Sequence, residues 1–383
     1  MDDRYGAPAT VMEVRGHGRG SIVRCYYRSE EDGGRRGLVM KIDGSYGEGG
    51  GQLLRCAVAL SALTGIEVEV SDIRAKRGRP GLAAQHLTAV MGVAALCDAE
   101  VENAYVGSTF IRFRPGPVIG GSYKLDVGTA GSITLVLQAC MLASLMSPAV
   151  TELEIIGGTN VRMSPPVDYY YQVLYPLLER MGYDVDLQLE RRGFYPQGGG
   201  RVTASLAPCP SLTPLRLQAR GEMEEVGGVC FSQNLPDHVA QRMEHACRKA
   251  FIGGNLELRA HRSAGPSTGA GTALYARYRH TVLGGDGLGE KGVPAERVGE
   301  AAVSCLRTEM EGPGTLDTHA ADQLLPYMAL AMGPSVFTVR EVTSHLLTQM
   351  WLLRQFLPVE FEMQDVAQGV SVRVLPNRTS PGP

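Results

Sequence analysis

Four stretches of this chain carry residue types and spacings that could do chemistry. In Thr343-Ser344-His345-Leu346, two hydroxyl residues that favour helix N-caps precede a histidine. A helix N-terminus disfavours an imidazolium, so His345 would stay neutral and nucleophilic near pH 7. Nearby backbone N–H groups would suit an attacked phosphate. Arg74-Ala75-Lys76-Arg77-Gly78-Arg79-Pro80-Gly81 sets four cations in six residues at a turn, with Gln85 and His86 following. Arginine forks suit bidentate phosphate contact. His319-Ala320-Ala321-Asp322-Gln323 opens another helix, and Asp322 could orient an imidazole or a metal ion. Arg192-Gly193-Phe194-Tyr195-Pro196-Gln197-Gly198-Gly199-Gly200-Arg201-Val202 is a tight glycine-dependent turn into a strand, structural by default. Taken singly, each of the first three is as readily a solvated turn or an ordinary first helical turn.

A glycine-rich stretch, Asp43-Gly44-Ser45-Tyr46-Gly47-Glu48-Gly49-Gly50-Gly51-Gln52-Leu53-Leu54-Arg55, must position them. The apolar run Gly37–Ile42 before it reads as a strand. Leu53–Thr64 after it has apolar residues at helical spacing. Strand, glycine turn and helix make an anion site, because glycines admit close approach and the helix adds its positive end. The chain lacks G-x-x-x-x-G-K-[ST], so this is not a P-loop. Nor do its glycines fit G-x-G-x-x-G.

Strand, small-residue turn and apolar helix recur at Leu125–Ala143 and Leu153–Met181. A later helical pair covers His319–Ala331 and Ser344–Phe356. The predicted fold is α/β (α+β), helices packed on sheets in a repeat of roughly 80–100 residues. Residues 37–213 and 312–383 read as one main domain. Residues 214–311 read as a smaller inserted α/β domain, with helices at Asp237–Ala250 and Ala295–Glu311 and a flexible loop at Ser263–Gly271. Residues 1–36, rich in Arg and Gly, read as a loosely ordered extension, with one strand at Ser21–Tyr27.

Hydrophobic residues are 44% and charged residues 20% of the 383, ordinary for a soluble globular chain. A net charge of −3 makes any nucleic-acid contact local. Eight cysteines without a C-x-x-C pair suggest reduced thiols rather than a zinc or disulfide framework, hence an intracellular protein. No run reaches ~18 apolar residues, so no membrane span is expected, and the N-terminus lacks a signal peptide's apolar core.

Together these stretches resemble the RNA 3′-terminal phosphate cyclase family. Arg192–Val202 is similar to its signature, R-G-x-x-P-x-G-G-G-x-hydrophobic, at every fixed position. Asp43–Arg55, Ile73–Val90, Gly128–Gln138 and Ser344–Gln349 match its other blocks in order, so the resemblance covers roughly residues 40–375. It implies repeated units of a four-stranded sheet plus two helices, resembling the C-terminal domain of translation initiation factor 3. It implies a reaction in which a histidine takes AMP from ATP and passes it to an RNA 3′-phosphate. The ribose 2′-OH then closes a 2′,3′-cyclic phosphate.

Carried over by position, the resemblance makes His345 the nucleophile and assigns the nucleotide segment to His319, Ala320, Ala321, Asp322 and Gln323. Gln138 lies near the nucleotide and Pro165 packs on adenine. Glu48, Arg55, Arg74, Arg77, Gln85 and His86 line the site. Glu48 is the expected metal contact, with a divalent cation, Mg²⁺, offsetting the triphosphate. Arg74 and Arg77 are the expected phosphate and RNA-end contacts. His319 stands where a tyrosine is common, which affects adenine stacking, and Gln349 replaces a frequent asparagine.

Three rival readings remain, one of them a general phosphate-binding scaffold, which would leave His345 unexplained. The family's ribosome-biogenesis branch lacks the catalytic histidine, unlike this chain. Enolpyruvyl transferases share similar repeated units but need no histidine nucleophile. The cyclase reading implies partners ATP and an RNA 3′-phosphate end, and a cytoplasmic protein (nuclear in a eukaryote). Oligomeric state is not legible. Removing residues 1–36 is expected to leave folding and activity intact, and a truncated protein that fails to fold would show that the body begins earlier.

Overall fold

A computed structural model describes residues 10–15, 22–27, 39–251 and 256–377. β1 (Thr10–Arg15) and β2 (Ile22–Tyr27) pair antiparallel. The strand expected near 21–27 therefore has a partner within the extension, and the rest of 1–36 lies outside the described residues.

The body is built on one pattern used three times. The first unit is β3 (Val39–Asp43), α1 (Gly51–Thr64), β4 (Glu67–Ser71), α2 (Ala84–Leu96), β5 (Glu100–Glu102) and β6 (Ile111–Arg114). Its sheet runs β3-β4-β6-β5, with the first pair parallel and the others antiparallel. α1 stops where Gly65, at φ 72°, returns its N–H to the Ser61 carbonyl at 2.9 Å.

The second unit is β7 (Gly121–Asp126), α3 (Ile133–Ala143), β8 (Thr151–Gly157), then α4 (Val167–Tyr169), a π turn (Tyr170–Leu174) and α5 (Tyr175–Arg180), then β9 (Val185–Arg191) and β10 (Gly200–Leu206). The order β7-β8-β10-β9 repeats the first sheet, strand for strand and sense for sense. Inward residues of β8 and β10 are buried and alternate with more accessible ones, as one-sided sheets require.

Between the second and third units lie β11 (Met223–Gln233), α6 (His238–Ala250), β12 (Glu257–Ser263), β13 (Gly269–Tyr278), β14 (Val282–Leu288) and α7 (Ala295–Glu311). They form their own sheet, β12-β11-β13-β14, and their own core around Cys230, Met243, Leu274, Val303 and Leu306. The loop expected at Ser263–Gly271 is shorter and tethered. Ser263 ends β12 and Gly269 opens β13. Gly265 N donates to Asn234 Oδ1 at 3.0 Å, and Phe194 N donates to Ser267 Oγ at 2.8 Å.

The third unit is α8 (Thr318–Leu330), β15 (Ser335–Val339), α9 (Ser344–Phe356), β16 (Val359–Val366) and β17 (Gly369–Pro376). Its sheet has three strands, β15-β17-β16, where the repeat predicts four. The fourth place is taken by 215–217, which pairs parallel with β15 through a single bridge at Arg216 and Val336, with Leu217 N to Val336 O at 2.7 Å. The segments 223–311 therefore interrupt the third unit after its first strand position and before α8. α1 packs against α2, α3 and α9, and α8 against α9, so all three units share one main core.

Arg192, the first residue of the signature turn, sits at the joint between the second unit and the inserted segment. It makes a bidentate pair with Asp168, both contacts 2.7 Å, and both side chains are buried. Its guanidinium lies 3.9 Å from the ring centroid of Phe231 on β11, and its carbonyl accepts from Gln233 Nε2 at 3.1 Å. Removing one partner strands a buried charge. Arg192→Met is expected to destabilise the protein by about 3–5 kcal/mol, and Arg192→Met with Asp168→Leu by clearly less. Denaturant unfolding of the two variants checks this.

Candidate active site

The site forms where the glycine loop between β3 and α1 meets the N-terminus of α9. Glu48 is its centre. Its Oε2 accepts from Arg77 Nη2 at 3.2 Å and lies 3.1 Å from His345 Nε2. Its Oε1 accepts from Ser344 Oγ. Local sequence explains the placement. Thr343 caps α9, its Oγ1 accepting from Leu346 N at 3.0 Å, so Ser344 and His345 fall in the first turn and face the loop.

The glycines serve contacts with the protein's own side chains. Gly47 holds φ 59°, and a Cβ there would lie 2.0 Å from Thr348 Oγ1 of α9. A Cβ on Gly51 would lie 2.0 Å from His86 Nε2 and 3.1 Å from Arg55 Nη1. Lys76 Nζ donates to the Gly47 carbonyl at 2.9 Å. α1 starts at Gly51 with no capping side chain and no acidic residue in its first turn, so its N–H groups keep their positive end toward Arg77 and Arg55. That is the arrangement an anion needs.

The titrating groups are tuned for neutral histidines. Burial is the main cause holding His345 below the usual histidine range; Arg77, Arg55 and His319 push the same way and Glu48 opposes them. The His345–Glu48 contact is therefore a hydrogen bond from a neutral ring. His86 is pushed down to about 2, first by burial and then by Arg55, Arg74 and Arg77. Its Nδ1 accepts from Ala83 N at 3.3 Å. Burial lowers Arg55 to about 10. Asp322 is raised to about 7, mainly by burial, with Glu48 and Asp317 adding to it while Thr343 and His319 oppose. The Thr343 hydroxyl donates to Asp322 Oδ1 at 3.0 Å, so Asp322 bears on His345 through the cap of α9.

The other expected residues divide. Arg55 donates to Gln138 Oε1 at 3.4 Å, and both line a small buried cavity with Gln52, Gln323, Tyr327 and Gln349. Gln52 Oε1, Gln323 Oε1, Gln349 Oε1 and Arg55 Nε are buried there without a hydrogen bond. Gln85 turns its side-chain oxygen to the backbone N–H of Ser132 at 2.8 Å and so ties the first unit to the second. Arg74, at φ 56°, donates to the Gly81 carbonyl at 2.7 Å and shapes the basic turn. The Pro165 carbonyl accepts from Thr134 Oγ1 at 2.8 Å, which fixes its loop against α3. Ala320 and Ala321 have their side chains in the main core. The N–H groups of His319 and Ala320 are held by Asp317 Oδ1 at 3.0 and 2.9 Å, so they are not free for a phosphate.

Sequence reasoning missed Asp317. It is buried, caps α8, and also accepts from Tyr169 OH at 2.7 Å and Gly284 N at 2.9 Å. The signal was there, an Asp directly before Thr-His-Ala-Ala at a helix start. It also missed Ser344 as a Glu48 partner, for which no local signal exists.

Among the described residues no three His, Cys, Asp or Glu side chains gather as a metal cage. A lone carboxylate still fits a Mg²⁺ ion that takes its other ligands from phosphates and water. Among the same residues no helix is long and apolar enough to cross a membrane. The cysteines whose side chains are described are free thiols, nearly all buried.

Residues 46–363 match the family model described as RNA 3′-terminal phosphate cyclase, and the chain belongs to that family. Its relatives carry the same name. One from Nitrosospira multiformis is 47% identical over 345 residues, covering 88% of this chain and 97% of the relative. One from Methanopyrus kandleri is 46% identical over 335 residues, 85% and 95%. One from Pyrobaculum neutrophilum is 43% identical over 332 residues, 85% and 95%.

The raised Asp322 gives a pH test. The folded state holds its proton more tightly than the unfolded chain, so this contribution to stability is present at acid pH and is lost as pH rises through about 7. Asp322→Asn stays uncharged at every pH. It is expected to match the parent only near pH 4 or below, to gain on it between there and pH 7, and to exceed it above pH 7 by on the order of a few kcal/mol. Melts of both proteins across that pH range check this.

Proposed function

We propose that this chain is an ATP-dependent cyclase of RNA 3′-phosphate ends that works through a covalent histidine–AMP intermediate. The observation carrying the reading is His345 Nε2 lying 3.1 Å from Glu48, which also accepts from Arg77, where the N-terminus of α9 meets the uncapped N-terminus of α1. A neutral ring with a usable lone pair, next to a cationic anion site, is what attack on a phosphate requires.

One His345 nitrogen bonds to the α-phosphorus of ATP as the bond to the bridging oxygen breaks and pyrophosphate leaves. Glu48 offsets the positive charge developing on the ring, which keeps its N–H and leaves as neutral imidazole in the next step. An oxygen of the RNA 3′-phosphate then displaces the histidine from phosphorus, giving an RNA–pp–A end. The neighbouring ribose 2′-OH attacks the RNA phosphate and releases its proton to solvent as the pyrophosphate bond breaks and AMP leaves, and the 2′,3′-cyclic phosphate remains. Arg77 and Arg55 hold phosphate charge throughout. Arg74 supports that turn. His319 and Pro165 frame the adenine, with Gln138 and Gln323 on the nucleotide side. Glu48 and the phosphates would hold Mg²⁺, which would supply charge neutralisation for the leaving pyrophosphate. The threefold unit fits the resemblance to the initiation factor 3 C-terminal domain, and the inserted domain is read as 214–311.

With ATP labelled at the α-phosphate, the parent is expected to acquire an acid-labile label and His345→Ala none. Retained label on His345→Ala would place the nucleophile elsewhere. Arg77→Ala is expected to raise the ATP or RNA-end concentration needed for half-maximal rate by at least about tenfold, the scale of one lost charge-assisted contact. Unchanged kinetics for both would remove Arg77 from the site.

A further inference from the structure

Tyr46 and Trp351 stack with ring centroids 3.9 Å apart and planes 17° from parallel. Tyr46 is in the glycine loop, two residues before Glu48. Trp351 is on α9, six residues after His345. The two segments run past each other in three rungs. Ser344 bonds Glu48, Thr348 packs on Gly47, and Trp351 stacks on Tyr46. Positions 344, 348 and 351 are i, i+4 and i+7, one stripe of a helix. That stripe faces the loop, residue against residue in opposite directions.

The loop needs such a hold. Its own backbone closure amounts to Tyr46 N to Asp43 O at 3.1 Å, Gly49 N to Tyr46 O at 3.0 Å, and Ser45 N to Asp43 Oδ1 at 2.8 Å. Glycines at 44, 47, 49, 50 and 51 leave the rest of the backbone free to choose other conformations. The partners of Glu48 do not anchor it from that side either, because His345 and Arg77 are themselves substantially exposed. The aromatic pair is the apolar end of the contact. Trp351 packs on the main core, and Tyr46 covers its ring with 40% of its own surface left accessible.

We propose that Tyr46 and Trp351 are positioning residues for the reaction, together holding the glycine loop against α9 so that Glu48 meets His345. The inference rests on His345 being the nucleophile. It concerns the first chemical step, before any RNA is present. A base platform for the RNA end is the competing use of an exposed aromatic. The geometry favours positioning, since the two rings already cover each other and lie in register with the Glu48 contact.

The test is single-turnover adenylylation with α-labelled ATP and no RNA, on the parent, Tyr46→Ala, Tyr46→Phe and Trp351→Ala, and on Tyr46→Ala in a Glu48→Ala background. Positioning predicts that both alanine variants lose rate roughly tenfold to a hundredfold, the cost of a displacement near 1 Å. Half-saturating ATP should change little, and Tyr46→Phe should keep the parent rate. Tyr46→Ala should cost nothing further once Glu48 is gone, because the effect runs through that carboxylate. Tyr46→Ala decides the matter if Trp351→Ala fails to fold, since the Tyr46 ring is partly exposed. Adenylylation at the parent rate in Tyr46→Ala overturns the inference. So does a weaker grip on ATP alone, or a rise only in the RNA needed afterwards, which would make the pair a base platform. No label on the parent overturns the histidine reading and this inference with it.

Discussion

One carboxylate holds the site together across nearly the whole chain. Glu48 comes from the first unit and its partners Ser344 and His345 from the third, separated by 296 residues in the Ser344 contact. Neither half can form the site alone. The glycine loop offers a carboxylate and an uncapped helix end but no nucleophile. α9 offers the histidine but has no anion site beside it. The packing of α1 on α9 within a shared core is what brings them within 3.1 Å. The three units thus meet in the candidate site through their interfaces, while the inserted segment has its own core and adds Val282 and Tyr275 to the main one.

Electrostatics then follow from burial more than from any single charge. Three arginines and two histidines crowd a loop where Glu48 is the hydrogen-bonded anion. Burial lowers both histidines, which favours the neutral ring, and raises Asp322 to about 7, which weakens its charge near neutral pH. The remaining positive charge sits on guanidiniums, which cannot shed it at working pH. A site that is cationic by arginine and neutral by histidine suits the proposed chemistry, in which phosphate is bound without protonating the attacking ring.

Local signals in the sequence were sufficient for much of this. α7 and α9 have the predicted limits, Ala295–Glu311 and Ser344–Phe356, because apolar spacing and N-cap residues define helices within a few residues. The glycine loop announced itself by composition. What it admits did not: its glycines make room for Thr348, His86 and Arg77, contacts between distant segments that no local pattern encodes. The same limit hid the bond from Ser344 to Glu48 and the one from Thr343 to Asp322. Gln85 was read as lining the site; that its oxygen also accepts from Ser132 N was not legible, since a glutamine's type does not reveal which backbone it will meet. The third sheet lost its fourth strand because the chain leaves for the inserted segment after a single bridge at Arg216. Arg192 was legible as part of a turn, but its pairing with Asp168 beneath Phe231 required the fold.

The most direct measurement is to map the covalent adduct. The protein would be incubated with ATP and Mg²⁺, digested without exposure to acid, and its peptides sequenced by mass spectrometry. The account predicts the mass of an adenylyl group on the peptide containing His345, at the imidazole, with unmodified peptide before ATP is added. An adenylyl group on another side chain, such as Lys76, whose Nζ donates to the Gly47 carbonyl of the loop, would contradict it.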